Sequence, residues 1–433
     1  MKTKASTGAL TKVLCAFVFA MFVLVFANTT TWAAPAKVTE VKQTKATSSS
    51  ISLSWSTNSL ADYYRYEISS DGKTWPSNKS DWETDGNGYF YGLSANSTYY
   101  VRVRGYNATS ASYYTSNPSA CELGEWSDVV KVVTAPDAKT QKITGTAATT
   151  SSLSFKWTAV SGADGYQVEY YVSGNSSSVK TINTTKNSCK LTKLSADTEY
   201  NIYVYAYKKG TNFLAVSSNG TYASGIPTLA KKVSGFGNTG VQNKYAYFSW
   251  NKKSVADGFQ IYMTKQSDSK KFKNKWSYNT SYNTGTASMN NTKIKLGAFY
   301  SAKIRPYVTL YGTNKKVYGD WSNVITFGSR PKDVDAKQSG SSIKVSWTKV
   351  TGATGYEIYA STSSSKGYVK VATVKGGSKK NCTIKKFKNK ALKSGKYYWI
   401  SVRPIMKSGS KTYKTSFSST SVWQDCVYYY KRK

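Results

Sequence analysis

Residues 342–360, SIKVSWTKVTGATGYEIYA, decide the fold. Ile343, Val345 and Trp347 alternate with Lys344 and Ser346, the period-2 pattern of a strand with one buried face. The polar stretch TGATG then predicts a turn, and a second strand starts at Tyr356. The same order occurs three more times. SISLSW ends at Trp55, SLSFKW at Trp157 and YAYFSW at Trp250. Each Trp is followed after 9 or 11 residues by an aromatic: Tyr66, Tyr166, Phe259 and Tyr356. A later tyrosine (Tyr99, Tyr200, Tyr300, Tyr398) stands six residues after an aliphatic (Leu93, Leu194, Ile294, Leu392). The repeat length, near 100 residues, is that of one β-sandwich. A unit of that size buries a core without metals or staples.

Prolines 35, 136, 227 and 331 each sit just before a new repeat, where a residue that cannot donate to a ladder stiffens a short connection. The expected organisation is a signal segment at 1–34 and sandwiches at 35–135, 136–230, 231–330 and 331–433. The last strand of a repeat is expected to begin at an aromatic-Ser pair: Trp126-Ser127, Trp321-Ser322 and Phe417-Ser418. The second copy lacks that pair, and the third, with GAFYSAKI, lacks the usual turn residues before Tyr300.

This order resembles the fibronectin type III module, four times over, across residues 37 to about 425. Its marks are the Trp of the second strand, the Tyr of the third, and a Leu-x5-Tyr that looks like a tyrosine corner. SWTKVTGATGYEIYASTS of the fourth copy is also similar to Lys/Tyr-rich modules of secreted Gram-positive bacterial proteins. The resemblance implies an all-β chain of four tandem immunoglobulin-like sandwiches. It leaves function open, since such modules serve as spacers, adhesion surfaces, receptor parts and enzyme accessories.

Lys2, Lys4 and Lys12 precede an apolar run over 13–27, with small residues at Ala33, Ala34 and Ala36. That is the pattern of an export signal cleaved near Ala34 or Ala36; an uncleaved anchor is the alternative. No other span is apolar enough to cross a membrane. Cys121, Cys189, Cys382 and Cys426 remain in the mature chain. Cys189 and Cys382 occupy one repeat position and read as small buried hydrophobes, with a Cys382–Cys426 bridge as the alternative.

The chain has no histidine, which excludes His-dependent triads and most zinc sites. No phosphate loop is present, and neither a metal nor a cofactor is expected. Asp62, Asp164 and Asp257 recur at one turn, with Thr354 in the fourth copy, so they read as turn chemistry; Asp71-Gly72 reads as a hairpin turn. Asp81, Glu83 and Asp85 partly mimic a calcium loop, but Gly92 stands where the bidentate ligand belongs.

Charge is unevenly spread. Net charge is −1 over 35–135, +4 over 136–230, +14 over 231–330 and +18 over 331–433. Such a field draws anionic polymers. Of the 60 basic residues only seven are arginine, and lysine lacks the planar fork that reads a guanine edge. Sequence-specific nucleic acid binding is therefore not expected. Two clusters are candidate ligand sites: Lys270, Lys271, Lys273 and Lys275 beside Trp276 and Tyr278, and Lys385, Lys386, Lys388 and Lys390. The first mixes cations and aromatics in an insertion and could stack sugars or bases while holding a phosphate; its alternative is a loop whose Trp covers the sandwich edge. The terminal Tyr428-Tyr429-Tyr430 is expected as a sticky tail or an edge strand.

The expected protein is secreted or wall-associated, monomeric and non-catalytic. Its basic half binds an anionic envelope polymer or glycan, or another surface protein. A passive spacer and a polysaccharide-active enzyme are the alternatives.

Overall fold

The computed structural model describes residues 33–107, 121–137, 142–253, 255–270, 272–281, 284–415 and 424–430. The expected signal segment, Lys271, Phe417-Ser418 and the last three residues lie outside or almost wholly outside this set. Among the described residues the chain is all-β; the few helical turns are three-residue 3-10 turns.

The first sandwich shows the plan. Its strands are β1 (Lys42–Ala46), β2 (Ile51–Ser54), β3 (Tyr63–Ser69), β4 (Ser80–Glu83), β5 (Asn87–Phe90), β6 (Thr98–Asn107), β7 (Glu122–Leu123) and β8 (Val130–Val133). One sheet has the order β1-β2-β5; the other runs β4-β3-β6-β7, with β8 also on β6. The same pair of sheets, three strands and five, recurs three more times. The long central strands of the later copies are Glu199–Lys209, Phe299–Thr309 and Lys396–Ser408. The described residues fall into two compact units. Residues up to 137, with 159–167 and 204–220, lie in the first; 142–158, 168–203 and 221–430 lie in the second.

Alternation fills each core. Trp55, Trp157, Trp250 and Trp347 are all buried. In the fourth core Trp347 packs with Tyr356, Ile358, Tyr398 and Val402, its ring 5.0 Å from that of Tyr356. The later tyrosines close a recurring corner. The hydroxyls of Tyr99, Tyr200, Tyr300 and Tyr398 accept from the backbone N–H five residues earlier, at 3.0, 2.9, 2.8 and 2.9 Å. The third copy makes this corner despite its altered turn, with Gly297 taking φ +78°, a conformation favourable for glycine.

Two expectations need correction. The aromatic of the first copy that corresponds to Phe259 and Tyr356 is Tyr64, not Tyr66. Tyr64 lies opposite Gly105 as Phe259 lies opposite Pro306 and Tyr356 opposite Pro404, each partner six residues after its corner tyrosine. Tyr66, two residues on, points inward as well, because strand faces repeat every second residue.

The aromatic-Ser pairs precede the last strand rather than start it. Ser127 and Ser322 accept from the N–H of Val103 and Ile304, both at 3.0 Å. The final strands begin three residues later, at Val130 and Ile325. In the fourth copy the side chain of Gln424 accepts from Val402 N–H at the same place, and the last strand is Asp425–Tyr429. Residues 428–429 are therefore no tail: they lie in this last strand, an edge strand paired with Lys396–Ser408, and Tyr429 is buried in the core. Cys382 and Cys426 are free thiols, in line with the unbridged reading and against the bridge given as its alternative. They sit on different sheets of the fourth copy, one paired with Val345 and the other with Trp399.

Candidate functional site

Every central strand presents its odd positions to the outer face of the five-stranded sheet. Counted from the corner tyrosine, positions +3 and +5 are Arg102 and Arg104, Tyr203 and Tyr205, Lys303 and Arg305, and Ser401 and Arg403. The scaffold is constant and this outer pair is not.

In the first copy the pair builds a ladder with one carboxylate. The Arg102 guanidinium lies 4.2 Å from the Trp75 ring centroid and 4.1 Å from that of Trp126; Arg104 lies 4.4 Å from Trp126. The buried carboxylate of Glu67 answers the charge, 2.7 Å from Arg102 and 3.0 Å from Arg65. In the second copy the same face carries stacked tyrosines. Tyr203 lies 4.5 Å from Tyr222 and 6.4 Å from Tyr171.

The third copy repeats the ladder without its carboxylate. Lys303 stands 4.6 Å from the Trp321 ring, 4.5 Å from Phe272 and 6.0 Å from Tyr262. Arg305 lies 4.4 Å from Trp321 and 4.1 Å from Tyr318, and Lys275 lies 5.2 Å from Tyr262. The residues facing Arg305 and Lys303 across the sheet are neutral, Gln260 and Tyr262. Gln260 is buried, and its Oε1 accepts from Nε and from a terminal nitrogen of Arg305 at 2.8 and 2.6 Å. Among the described residues no carboxylate pairs with Lys275, Lys303 or Arg305. Burial, then the charges of Arg305 and Lys275, pull the Lys303 ammonium below the usual lysine range. The fourth copy regains an acid. Glu357 is buried opposite Arg403 and takes Lys414 at 2.9 Å and Lys370 at 3.6 Å.

The insertion holds this face by an unusual backbone. Phe272 and Asn274 have φ of 45° and 52°, left-handed values that cost a side-chain-bearing residue about 1–2 kcal/mol. Thr264 Oγ1 donates to the Lys273 carbonyl at 2.9 Å and pins the turn. Phe272 is thereby buried beneath Lys303.

The sequence-predicted residues are only partly brought together. Lys270, Lys273 and Lys275 are exposed, and Lys275 joins the ladder; Lys271 lies outside the described residues. Trp276 cannot stack a ligand. It is buried in the third core, edge-on to Tyr300 at 5.9 Å, because its strand (Trp276–Asn279) points it inward. Tyr278 is half-buried against the same core. Lys385, Lys386, Lys388 and Lys390 are exposed on a small hairpin that pairs Lys386–Phe387 with Lys390–Ala391. Its tip residues Lys388 and Asn389 have φ of 51° and 60°, positive at both centres as in a type I′ turn. Phe387 anchors it 5.5 Å from Tyr398. Sequence inspection missed Lys303, Arg305, Tyr262, Trp321 and Gln260. Their available signal was the lysine-arginine pair at +3 and +5 after Tyr300.

The acids hold structure. Asp164 and Asp257 accept from the N–H of Lys209 and Thr309 at 2.9 and 2.6 Å, and the Thr354 hydroxyl accepts from Lys407 N–H at 3.0 Å. Asp71 takes the N–H groups of Lys73 and Thr74, both at 2.8 Å; these bonds hold its carboxyl well below the usual range. Burial first, then Asp85 and Asp81, push the Glu83 carboxyl up. Among the described residues no three His, Cys, Asp or Glu side chains are placed to hold a metal ion, and no helix is long and apolar enough to cross a membrane.

With this geometry in place, comparison with known proteins gives the module its class. Residues 138–218 match the family model for the fibronectin type III domain, and the other sheet pairs repeat that sandwich's strand order. The chain is thus all-β among its described residues, with a fibronectin type III domain over 138–218. The chicken CNTN1 FN1–FN3 domains are 14% identical, covering 69% of this chain and 100% of that one, with a TM-score of 0.29. A two-domain fibronectin type III segment of chicken tenascin is 17% identical, covering 42% of this chain and 97% of that one, with a TM-score of 0.22. No curated protein matches the chain.

Proposed function

We propose that this is an exported, non-catalytic binding protein of the cell surface, resembling surface proteins of Gram-positive bacteria. Residues 231–433 hold an anionic envelope polymer or glycan and the neutral first module faces outward. The observation that carries the proposal is the charge slope, from −1 over 35–135 to +14 and +18 over the last two repeats. Two features support it. The slope coincides with loss of carboxylate cover between the first and third copies: Glu67 pairs with two arginines of the first ladder, whereas Tyr262 stands at its register position in the third. Five of the seven arginines are also engaged within the fold. Arg65 and Arg102 engage Glu67, Arg104 the Tyr106 hydroxyl, Arg305 Gln260 and Arg403 the Thr415 carbonyl. Exposed lysines therefore supply most of the outward charge, a pattern suited to diffuse attraction rather than base readout.

The test is co-sedimentation of the full chain with purified cell walls over a salt series. Binding is expected at low ionic strength and is expected to fall steeply as salt screens it. Charge-neutralising changes in 231–433 should abolish it, and matched changes in 35–135 should not. Equal sensitivity of the two halves refutes the proposal. Binding that persists at high salt favours an aromatic sugar site instead.

A further inference from the structure

We propose that the outer face of the third five-stranded sheet, built by Lys275, Lys303, Arg305, Tyr262, Trp321 and Gln260, is a binding site for a phosphodiester polymer. The inference rests on the reading that the basic half of the chain holds an anionic polymer, and it assigns that polymer's chemistry and place.

Three observations carry it. First, three cations are gathered with no acid among them. Like charges in proximity repel, and partial burial makes the repulsion larger than in water. The first and fourth modules relieve the same strain with a buried glutamate, Glu67 and Glu357. The third has Tyr262 at the register position of Glu67 and Gln260 at that of Glu357; Gln260 satisfies the hydrogen bonds of Arg305 and leaves its charge in place. A bound anion supplies the missing charge.

Second, Lys303 and Arg305 are held rather than trailing in solvent. Trp321 lies between Lys303 and Arg305, and Tyr262 meets Trp321 at 4.5 Å. The left-handed insertion places Phe272 under Lys303. Immobilised cations lose little side-chain entropy when a ligand arrives.

Third, the donors left over select the anion. A carboxylate is best matched by a free guanidinium fork, but two of the Arg305 nitrogens already donate to Gln260. What faces outward is two ammonium point charges and the remaining edge of the guanidinium. A tetrahedral phosphate accepts from such scattered donors from several sides, and lysine serves it as a point charge.

The test uses the full chain and three polyanions of matched charge: poly(glycerol phosphate), poly(glutamate) and dextran sulfate. Wild type is expected to bind poly(glycerol phosphate) most tightly. Gln260→Glu places there the carboxylate that Glu357 supplies at the matching position of the fourth module. It should weaken that binding by roughly tenfold, the scale on which a partly desolvated charge contact acts, without lowering thermal stability. Lys275→Gln/Lys303→Gln should weaken it similarly. Lys385→Gln/Lys386→Gln/Lys388→Gln/Lys390→Gln, which removes more charge from the fourth module, should weaken it less. If Gln260→Glu and the double variant bind like wild type while the fourth-module variant does not, the site is refuted and the general reading stands. If wild type binds none of the three polymers, both fall. Preference for poly(glutamate) or dextran sulfate overturns the phosphate assignment.

Discussion

Replacing Tyr300 by phenylalanine removes one oxygen and tests how the corner works. That hydroxyl accepts from Lys295 N–H and donates to the Lys295 carbonyl, both at 2.8 Å, and the ring is 1% exposed. A net hydrogen bond contributes about 0.5–1.5 kcal/mol, and Tyr300→Phe loses two. It should therefore cost about 1–3 kcal/mol. Tyr99→Phe is the internal control. Its hydroxyl shows one bond, from Ser94 N–H at 3.0 Å, the ring is half-buried, and Ser94 is exposed. Water can replace that bond, so the cost should be about 1 kcal/mol or less. A multidomain chain has no single unfolding free energy, so the assay must be local. Hydrogen exchange read on peptides from Phe299–Thr309 and Thr98–Asn107 supplies that. Equal losses in the two variants, or a loss below about 0.5 kcal/mol for Tyr300→Phe, would refute the burial-based reasoning.

Trp276→Ala should destabilise the third module by about 3–5 kcal/mol and should alter polyanion binding only through unfolding; a folded, stable variant with reduced glycan binding would return Trp276 to the surface. The fourth module should lose stability on acidification. Burial alone would raise the Glu357 carboxyl, but hydrogen bonds from Lys414 and Tyr359 and the charges of Lys414 and Lys370 hold it below the usual range. Its contribution is complete above the ordinary glutamate value of about 4.3 and disappears as pH falls through the lower folded value. Wild type should accordingly exceed Glu357→Gln at pH 7 and converge with it in acid, as denaturation at several pH values will show. Of the four cysteines from Cys121 onward, exposed Cys426 should alkylate rapidly at pH 8. Cys382, whose thiol burial pushes up to about 11, should react only on unfolding. Mass spectrometry after timed labelling distinguishes them, and equal rates would contradict the burial of Cys382.

The fold was readable because its marks are local. A Trp closing an alternating run, and a tyrosine six residues after an aliphatic, each lie within one strand or corner. The first-copy aromatic was misassigned because Tyr64 and Tyr66 both face inward, and only the pairing of Tyr64 with Gly105 separates them. The cation ladder was not readable. Tyr262, Lys303 and Trp321 come from distant stretches and meet only across sheet edges, whereas the contiguous lysines of 270–275 and 385–390 attract the eye. Trp276 illustrates the same limit: its neighbours are charged, yet the parity of one short strand turns it into the core. The hairpin at Lys388-Asn389 lacked the glycine that usually announces such a turn.

The two faces of each central strand are chemically uncoupled. Val103, Val204, Ile304 and Val402 keep the inner side aliphatic, while the flanking outward positions read Arg-Arg, Tyr-Tyr, Lys-Arg and Ser-Arg. A substitution outside need not perturb packing within. Duplicated copies can therefore drift apart in what they attract while remaining equally foldable. A lineage that lengthens such an array gains a blank surface with every added copy, open to a new specificity at little risk to the rest.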